Sequence, residues 1–216
     1  MAENLRATIL GAGAMARKHA AAYAALPGVE IVAVANRSQP RAEQLAADYG
    51  ISAVFADFDE ALESVEADIA SVCVPTNMHP RLAVAAMERG LHVVTEKPIA
   101  LTEEAARRMT DASARTGKKL TVIFNRRFNS VWDELGRRFG SIGTPVVYNA
   151  QEIRSIRPKL PMHSQSGNGG PVIDCCVHDF DMLLHLFGEP KWVFATGQAF
   201  GGNKPFLASI DDVAVV

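Results

Sequence analysis

Close to the start of the chain stands the run Thr8-Ile9-Leu10-Gly11-Ala12-Gly13-Ala14-Met15-Ala16. Its apolar beginning predicts a buried strand, its glycines a tight turn, and its small residues a helix that continues to about Ala25. Gly11 would permit the turn, Gly13 would let a ligand approach the backbone, and Ala16 would let the helix lie close to the strand. Because the first N–H groups of a helix bind phosphates, the pattern predicts a dinucleotide site. The alternative is an ordinary turn between a strand and a helix.

Composition narrows the classes of protein to consider. The chain has 216 residues, of which 48% are hydrophobic, enough to bury a core in one large or two small domains. A net charge of −2 and the lack of a basic run argue against a nucleic-acid or anionic-membrane surface. We expect no membrane span, because no apolar stretch approaches about 20 residues. We expect no signal peptide, because the first six residues lack its basic-then-apolar layout. Three cysteines without metal-type spacing favour reduced thiols in the cytoplasm.

Strand and helix patterns alternate through the first half of the chain. Further strands are predicted at 29–34, 53–55, 69–74, 91–95 and 120–124, with helices between them. Ser38 and Thr102 are placed to cap two of these helices, and Gly50, Gly90 and Gly117 to end helices. This alternation predicts an α/β fold with a doubly wound parallel sheet, in which ligands bind beyond the carboxyl ends of the strands. The polar residues found there are Asn36 and those of the segments 75–79 and 96–98.

The regular alternation of strand and helix patterns stops after about residue 125, so we predict two domains, 1–124 and 125–216. The second is expected to be an α+β open-sheet domain, with helices at 128–139 and 171–187 separated by a polar loop at 157–170. Strands are predicted at 145–153, 191–200 and 210–216. Because domains seldom end on a bare edge strand, we expect this second domain to be incomplete or to be completed by another chain.

The second predicted helix of this domain carries a possible acid–base pair. Asp174, His178, Asp181 and His185 recur at helical spacing and would share one face. A carboxylate one turn before an imidazole can hold its tautomer while the ring moves a proton near neutral pH. The alternatives are a solvated polar face, core histidines satisfied by acids, or a metal site without cysteine ligands.

Lys97 follows a predicted buried strand and precedes Pro98. This position would lie over the expected cofactor crevice, where an amine could orient a substrate hydroxyl or share its proton. The alternative is an ordinary exposed lysine in a loop.

Together these motifs resemble the Gfo/Idh/MocA family of sugar and cyclitol oxidoreductases. The resemblance covers essentially the whole chain and rests on five runs: Gly11-Ala12-Gly13-Ala14-Met15-Ala16, Pro75-Thr76-Asn77-Met78-His79, Glu96-Lys97-Pro98, Asn125-Arg126-Arg127-Phe128-Asn129 and the segment from Gly169 to Asp181. The Glu-Lys-Pro tripeptide and the G-G-x-x-x-D-x-x-x-H run are its most specific parts.

The resemblance implies a Rossmann cofactor domain followed by a domain whose sheet covers the nicotinamide and forms a homo-oligomer contact. It implies that Lys97 and His178 handle the proton and that Asp174 orients the reacting hydroxyl. Glu96 and Pro98 would support the loop, and the resemblance favours the cis form of Pro98. Asn77 and His79 would lie near the nicotinamide ribose, and Arg126 on the substrate side. The expected cofactor-binding residues are Gly11, Gly13, Ala14, Met15, Asn36, Arg37, Ser38, Pro75, Thr76, Asn77, His79, Glu96 and Lys97; the expected substrate-binding residues are Lys97, Arg126, Asp174 and His178; no metal is expected.

Two features depart from the family pattern. Users of NAD typically present an acid after the second strand, whereas this chain has Asn36-Arg37-Ser38. Arginine can bind a 2′-phosphate, so NADP is the expected cofactor, with NAD as the alternative because Arg37 could also stack on adenine. Family members also usually carry a longer second domain.

The sequence therefore predicts an NAD(P)-dependent dehydrogenase that transfers a hydride between a nicotinamide cofactor and a sugar, polyol or related cyclic alcohol. The first alternative is a non-catalytic dinucleotide-binding regulator or scaffold on the same fold. A second alternative is a metal-dependent hydrolase using the helix face that begins at Asp174.

Overall fold

The computed structural model describes residues 4–151, 165–170, 172–198 and 213–215. The chain divides into two compact units, Met1–Ile123 and Phe124–Val216. Each unit is described here by itself.

The described part of the first unit contains a parallel sheet of six strands in the order β3-β2-β1-β4-β5-β6. The strands are β1 (Leu5–Leu10), β2 (Val29–Ala35), β3 (Ala53–Phe55), β4 (Ile69–Val72), β5 (His92–Glu96) and β6 (Leu120–Ile123). The predicted doubly wound parallel sheet is confirmed. The five further predicted strands form to within two residues at their ends, whereas β1 begins three residues before Thr8. The order places β1 at the centre, where the direction of winding reverses and ligands bind in such sheets.

Helices connect the strands and cover both faces of the sheet. They are α1 (Ala14–Ala24), α2 (Gln39–Tyr49), α3 (Phe58–Ser64), α4 (His79–Glu88, after a 3₁₀ turn at Thr76–Met78) and α5 (Glu103–Thr116). The predicted cap at Thr102 is confirmed, because its hydroxyl accepts a hydrogen bond from the Ala105 N–H at 3.2 Å. Asp57, which the sequence reading missed, caps α3 by accepting from two backbone N–H groups.

The core lies in two layers, one on each face of the sheet. Adjacent residues of β1 serve different layers, because successive side chains of a strand point to opposite faces. Ile9 packs with α1 and α2, whereas Leu10 packs with α3, α4 and α5. Both faces are thus buried, as the continuous apolar strands require.

The second unit contains α6 (Ser130–Arg138), α7 (Gln165–Asn168), a π-helical turn (Val172–Cys176) that leads into α8 (Val177–Phe187), and an antiparallel pair of strands, β7 (Thr196–Gln198) and β8 (Val213–Val215). The helix predicted at 128–139 is shorter than expected, since 3₁₀ turns occupy Asn125–Phe128 and Phe139–Ile142. The helix predicted at 171–187 forms over residues 172–187, and Gly188 follows it with a φ of +81°.

The strand predicted at 145–153 is wrong over residues 145–151, which form no ladder. Its two central valines, Val146 and Val147, are 90% and 81% exposed, so alternation there does not reflect a buried face. Residues 152–153 and most of the predicted loop, 157–164, lie outside the described residues. Within the strands predicted at 191–200 and 210–216, the described residues form β7 and β8, and residues 191–195 are irregular. Residues 199–200, 210–212 and 216 lie outside the described part of the chain.

The longest helix in the described ranges is α5, with 14 residues. Crossing a bilayer takes about 20 apolar residues, and no described helix meets that requirement.

Candidate functional site

The turn after β1 requires glycine at its first position. Gly11 has a φ of +120°, and a Cβ added there would lie 2.3 Å from the carbonyl oxygen of Cys73. Its N–H donates to the Ala35 carbonyl at 2.7 Å, which ties the turn to the end of β2. Gly11 is thus a requirement of the fold itself.

Gly13 differs from Gly11 both in its backbone conformation and in the space that a side chain would have. Its φ is −84°, which any residue can adopt, and a Cβ added there would meet nothing within 4 Å. It stands at the N-cap of α1 and is exposed, so the first N–H groups of the helix face open space without a capping side chain from this residue. Folding does not explain this glycine, whereas a diphosphate lying against the helix N-terminus would.

The strand ends around this turn form one row. Leu10 is in register with Ala35 on one side and with Val72 on the other, and Val72 is in register with Thr95. The residues that follow these positions are therefore brought to one edge of the sheet, as the sequence predicts. They are Gly11, Asn36, Cys73 and Glu96.

The segment after β2 is open to solvent at Arg37 and Ser38. The Asn36 side chain donates to the Ser38 carbonyl at 2.9 Å and closes the turn. Ser38 stands at the N-cap of α2, but the predicted cap is wrong because its hydroxyl makes no capping bond. The Ser38 hydroxyl and the N-terminus of α2 therefore come directly after the exposed Arg37.

The loop after β4 combines exposed and buried members of the predicted site. Asn77 is exposed, whereas Thr76 and His79 are buried. His79 lies between two backbone carbonyls, with Nδ1 2.9 Å from the oxygen of Pro98 and Nε2 2.9 Å from that of Val74. Burial lowers the pKa of His79. A direct contact from this ring to a ribose would have to replace one of these bonds.

The tripeptide Glu96-Lys97-Pro98 follows β5 with a cis peptide bond before Pro98. Glu96 is 6% exposed, Pro98 is buried, and Lys97 is half-buried between them. One carboxylate oxygen of Glu96 accepts from the Lys97 backbone N–H at 3.3 Å. The other accepts from His19 on α1, at 3.1 Å from Nε2.

Cys73 lies directly under the glycine turn. Burial raises the pKa of its thiol to about 12, so the group is a neutral thiol at physiological pH.

In the second unit, Asp174 lies in the π-helical turn and His178 in the first turn of α8. Both are half-buried, and the Asn168 amide lies 3.5 Å from Asp174 Oδ1. The His178 ring makes an edge contact with Phe124, with ring centroids 6.3 Å apart. π-Helical turns inside helices are frequent at functional sites.

The other two residues of the predicted face, Asp181 and His185, lie on α8 in different surroundings. Asp181 is buried and binds Arg127 through both oxygens, at 2.6 and 2.7 Å, which raises the pKa of Arg127. His185 is exposed and lies near Gly136 of α6. Asp181 therefore belongs to an ion pair, and a common site for the four residues stays a prediction.

Arg126 is also part of an ion pair. Its guanidinium donates to Asp179 Oδ1 at 2.7 Å, and Asp179 is buried. The sequence reading placed Arg126 on the substrate side and missed that Asp179 and Asp181 would pair with the two arginines. The available signal was a pair of adjacent arginines together with two acids on a largely apolar helix. Buried charges must be paired, so such acids call for cationic partners.

Among the described residues, no group of three His, Cys, Asp or Glu side chains is arranged to hold a metal ion.

Comparison with known proteins identifies both units. Residues 5–124 match a family model described as "Oxidoreductase family, NAD-binding Rossmann fold", and residues 138–216 match "GFO/IDH/MocA C-terminal domain". The chain is 35% identical over 194 residues to the D-glucoside 3-dehydrogenase of Escherichia coli K12, covering 86% of this chain and 55% of that protein. It is 31% identical to the scyllo-inositol 2-dehydrogenase (NAD(+)) of Bacillus subtilis 168, covering 99% of this chain and 62% of that protein.

A solved structure supports the fold. The crystal structure of myo-inositol 2-dehydrogenase from Lactobacillus plantarum has a TM-score of 0.83 at 24% identity, covering 95% of this chain and 62% of that one. The chain thus spans between 55% and 62% of the length of these three relatives.

Proposed function

Because the chain belongs to the Gfo/Idh/MocA oxidoreductase family, we propose that it transfers a hydride between a nicotinamide dinucleotide and a sugar, polyol or related cyclic alcohol. The relatives named above are dehydrogenases of a glucoside and of inositols, which supports this class of substrate. A bound nicotinamide supplies the hydride chemistry, and the chain's own residues must bind, orient and move the proton.

The observation that carries the proposal is Gly13. A glycine that the backbone does not need, at the uncapped start of an 11-residue helix, leaves room for a diphosphate against the N–H groups of Ala14 and Met15. Asn36, Pro75, Thr76 and Asn77 follow the neighbouring strands at the same edge of the sheet and would contact the rest of the dinucleotide.

Three residues are assigned to catalysis: Lys97, Asp174 and His178. Oxidation of an alcohol removes a hydride from carbon and a proton from oxygen, so a group must accept the proton as the hydride leaves. We assign that acceptor to the Lys97 amine together with His178, and we assign to Asp174 the binding of the reacting hydroxyl. In the reverse direction the same groups return the proton to the carbonyl oxygen. Arg126 is proposed to contact substrate at the edge of this site.

For the cofactor we propose NADP. The exposed Arg37, the uncommitted Ser38 hydroxyl and the N-terminus of α2 lie together where a 2′-phosphate would sit, with no acid to repel it. The name of the Bacillus subtilis relative specifies NAD(+), so both dinucleotides must be measured.

Replacing Arg37 by aspartate is expected to weaken NADP⁺ binding by about 10- to 100-fold and NAD⁺ binding by less than about threefold. An arginine–phosphate contact would be lost and an acid placed beside the phosphate, at a cost of roughly 1.5–3 kcal/mol for a charged hydrogen bond. Fluorescence titration of both dinucleotides measures the two dissociation constants. Arg115→Asp, in the last turn of α5, is the matched change of charge. Equal weakening of both cofactors would remove the phosphate role of Arg37.

The whole proposal is tested by titrating NADP(H) and NAD(H) into the protein and then screening glucosides, inositols and other polyols for the absorbance of reduced nicotinamide. Binding with turnover supports the dehydrogenase. Binding without turnover across the panel would favour the alternative, a non-catalytic dinucleotide-binding regulator. Turnover that a chelator abolishes and nicotinamide does not affect would instead indicate the hydrolase alternative.

Two further expectations remain predictions. A homo-oligomer formed through the sheet of the second unit would be seen as a mass above 23.3 kDa in light scattering. We propose a cytoplasmic location because none of the three described cysteines forms a disulfide.

A further inference from the structure

A continuous chain of buried polar side chains runs beneath the candidate site in the first unit. The Tyr23 hydroxyl donates to Ser71 Oγ at 3.3 Å, and Ser71 Oγ lies 2.6 Å from His19 Nδ1. His19 Nε2 lies 3.1 Å from Glu96 Oε1. Ser71, His19 and Glu96 are 0%, 9% and 6% exposed, so water is largely excluded from these contacts.

One arrangement of hydrogens satisfies every contact in this chain. Ser71 accepts from Tyr23 and has a single hydrogen, which it donates to His19 Nδ1 rather than to the Cys73 sulfur at 3.9 Å. His19 then carries its hydrogen on Nε2 and donates it to Glu96 Oε1. The remaining oxygen, Glu96 Oε2, accepts the Lys97 backbone N–H at 3.3 Å.

This series of hydrogen bonds joins the two elements on which the proposed function rests. His19 lies on α1, the helix whose first turn is proposed to hold the diphosphate, and Glu96 ends β5 immediately before Lys97. A buried carboxylate costs several kcal/mol unless it is paired, so a plain core would not place one at this strand end. On the other side of Lys97, His79 Nδ1 lies 2.9 Å from the Pro98 carbonyl.

We propose that His19 is a positioning residue for Lys97. It orients the Glu96 carboxylate, and the carboxylate holds the Lys97 backbone, so that the amine starts from a fixed point. This inference rests on the proposed role of Lys97 in proton transfer, but the contact through Glu96 can be tested without turnover.

The kinetic test replaces His19 by glutamine. We expect kcat to fall by about 10- to 100-fold, because small displacements of a reacting group cost rates of this order. The dissociation constant of the dinucleotide should change by less than about threefold, since the glycine turn is unaltered. The matched control is His92→Gln, which is on the same strand as Glu96 but at its opposite end, and whose Nδ1 accepts one backbone N–H. Its kcat should stay within about twofold of wild type.

The second test uses hydrogen exchange of the Lys97 backbone amide in the ligand-free protein, followed by NMR. In His19→Gln this amide should exchange about tenfold faster than in wild type and in His92→Gln. If His19→Gln does not fold, Glu96→Gln takes its place, because its amide group cannot accept from both His19 Nε2–H and Lys97 N–H. Where both fold, the double variant should lose no more than the worse single variant, as expected for two residues acting through one contact.

Additive losses in the double variant, or a His19→Gln protein that matches His92→Gln in kcat and amide exchange, would overturn the inference. A His19→Gln variant that loses dinucleotide affinity as much as kcat would also overturn it, in favour of a purely structural role. If wild type turns over no alcohol but His19→Gln still accelerates exchange at Lys97, the positioning contact stands and the proposed function fails.

Discussion

Replacing Lys97 by methionine is expected to reduce kcat by roughly 10²- to 10⁴-fold, the range found when a group that transfers a proton is removed. Methionine has a similar length and no ionisable group, so the half-buried position stays filled. Dinucleotide affinity should change little, because the proposed diphosphate contacts come from the turn after β1. Steady-state kinetics with the best alcohol of the screen, together with a dinucleotide titration, measure both quantities.

The control for this change is Lys119→Met. Lys119 is an exposed lysine that directly precedes β6, at the opposite edge of the same sheet, so it shares the residue type but not the position. Its kcat should match wild type. Unchanged turnover in Lys97→Met would remove Lys97 from the mechanism, and a parallel loss of dinucleotide affinity would make it a cofactor-binding residue only.

Much of the first unit could be predicted from sequence because its signals are local and repeat. Apolar runs such as Val29–Ala35 favour strands with both faces covered, and this strand is buried over its last four residues. Glycines such as Gly50 and Gly117 end helices with φ values of +66° and +68°. Parallel pairing then follows from the alternation, and it brings the polar residues at the strand ends to one edge. The row formed by Gly11, Asn36, Cys73 and Glu96 therefore follows from the topology of the sheet.

The second unit was less predictable because alternation alone does not make a strand. Residues 145–153 alternate like a strand, but in the described residues no neighbouring strand pairs with Val146 or Val147. Helical spacing grouped Asp174 with Asp181, but it could not show that Arg127 pairs with Asp181 across 54 positions of sequence. Ion pairs of such separation depend on tertiary packing and leave no periodic signal.

The contacts that position the candidate site were missed for a related reason. His19 lies on the apolar face of α1 with Ala16 and Ala20, where periodicity marks it only as core. A buried imidazole needs partners, and sequence cannot tell that Ser71 and Glu96 supply them from two different strands. The polar residues at the strand ends are thus predictable from topology, whereas the residues that contact them are found only in the fold.

Gly13→Ala is expected to separate the fold from the site. Alanine fits the observed φ of −84° and meets nothing within 4 Å, so the free energy of unfolding should change by less than about 1 kcal/mol, the size of N-cap preferences. Dinucleotide binding should weaken by about 10- to 100-fold, because the new methyl group would occupy the space proposed for the diphosphate and overpacking costs about 1–3 kcal/mol. Thermal unfolding and fluorescence titration measure the two effects.

Gly11→Ala is the matched change with the opposite expectation. The strain of a φ of +120° and the clash at 2.3 Å from the Cys73 carbonyl should together lower the free energy of unfolding by about 2–6 kcal/mol, before any ligand is added. The two alanine variants therefore stand two positions apart in the same turn and are expected to damage different properties. Gly11→Ala should lower stability, and Gly13→Ala should weaken dinucleotide binding. If Gly13→Ala binds dinucleotide like wild type, its open space serves no ligand, and the dinucleotide site at α1 must be abandoned. If Gly11→Ala is as stable as Gly13→Ala, the turn after β1 is not the tight one described, and the argument that separates the two glycines fails with it.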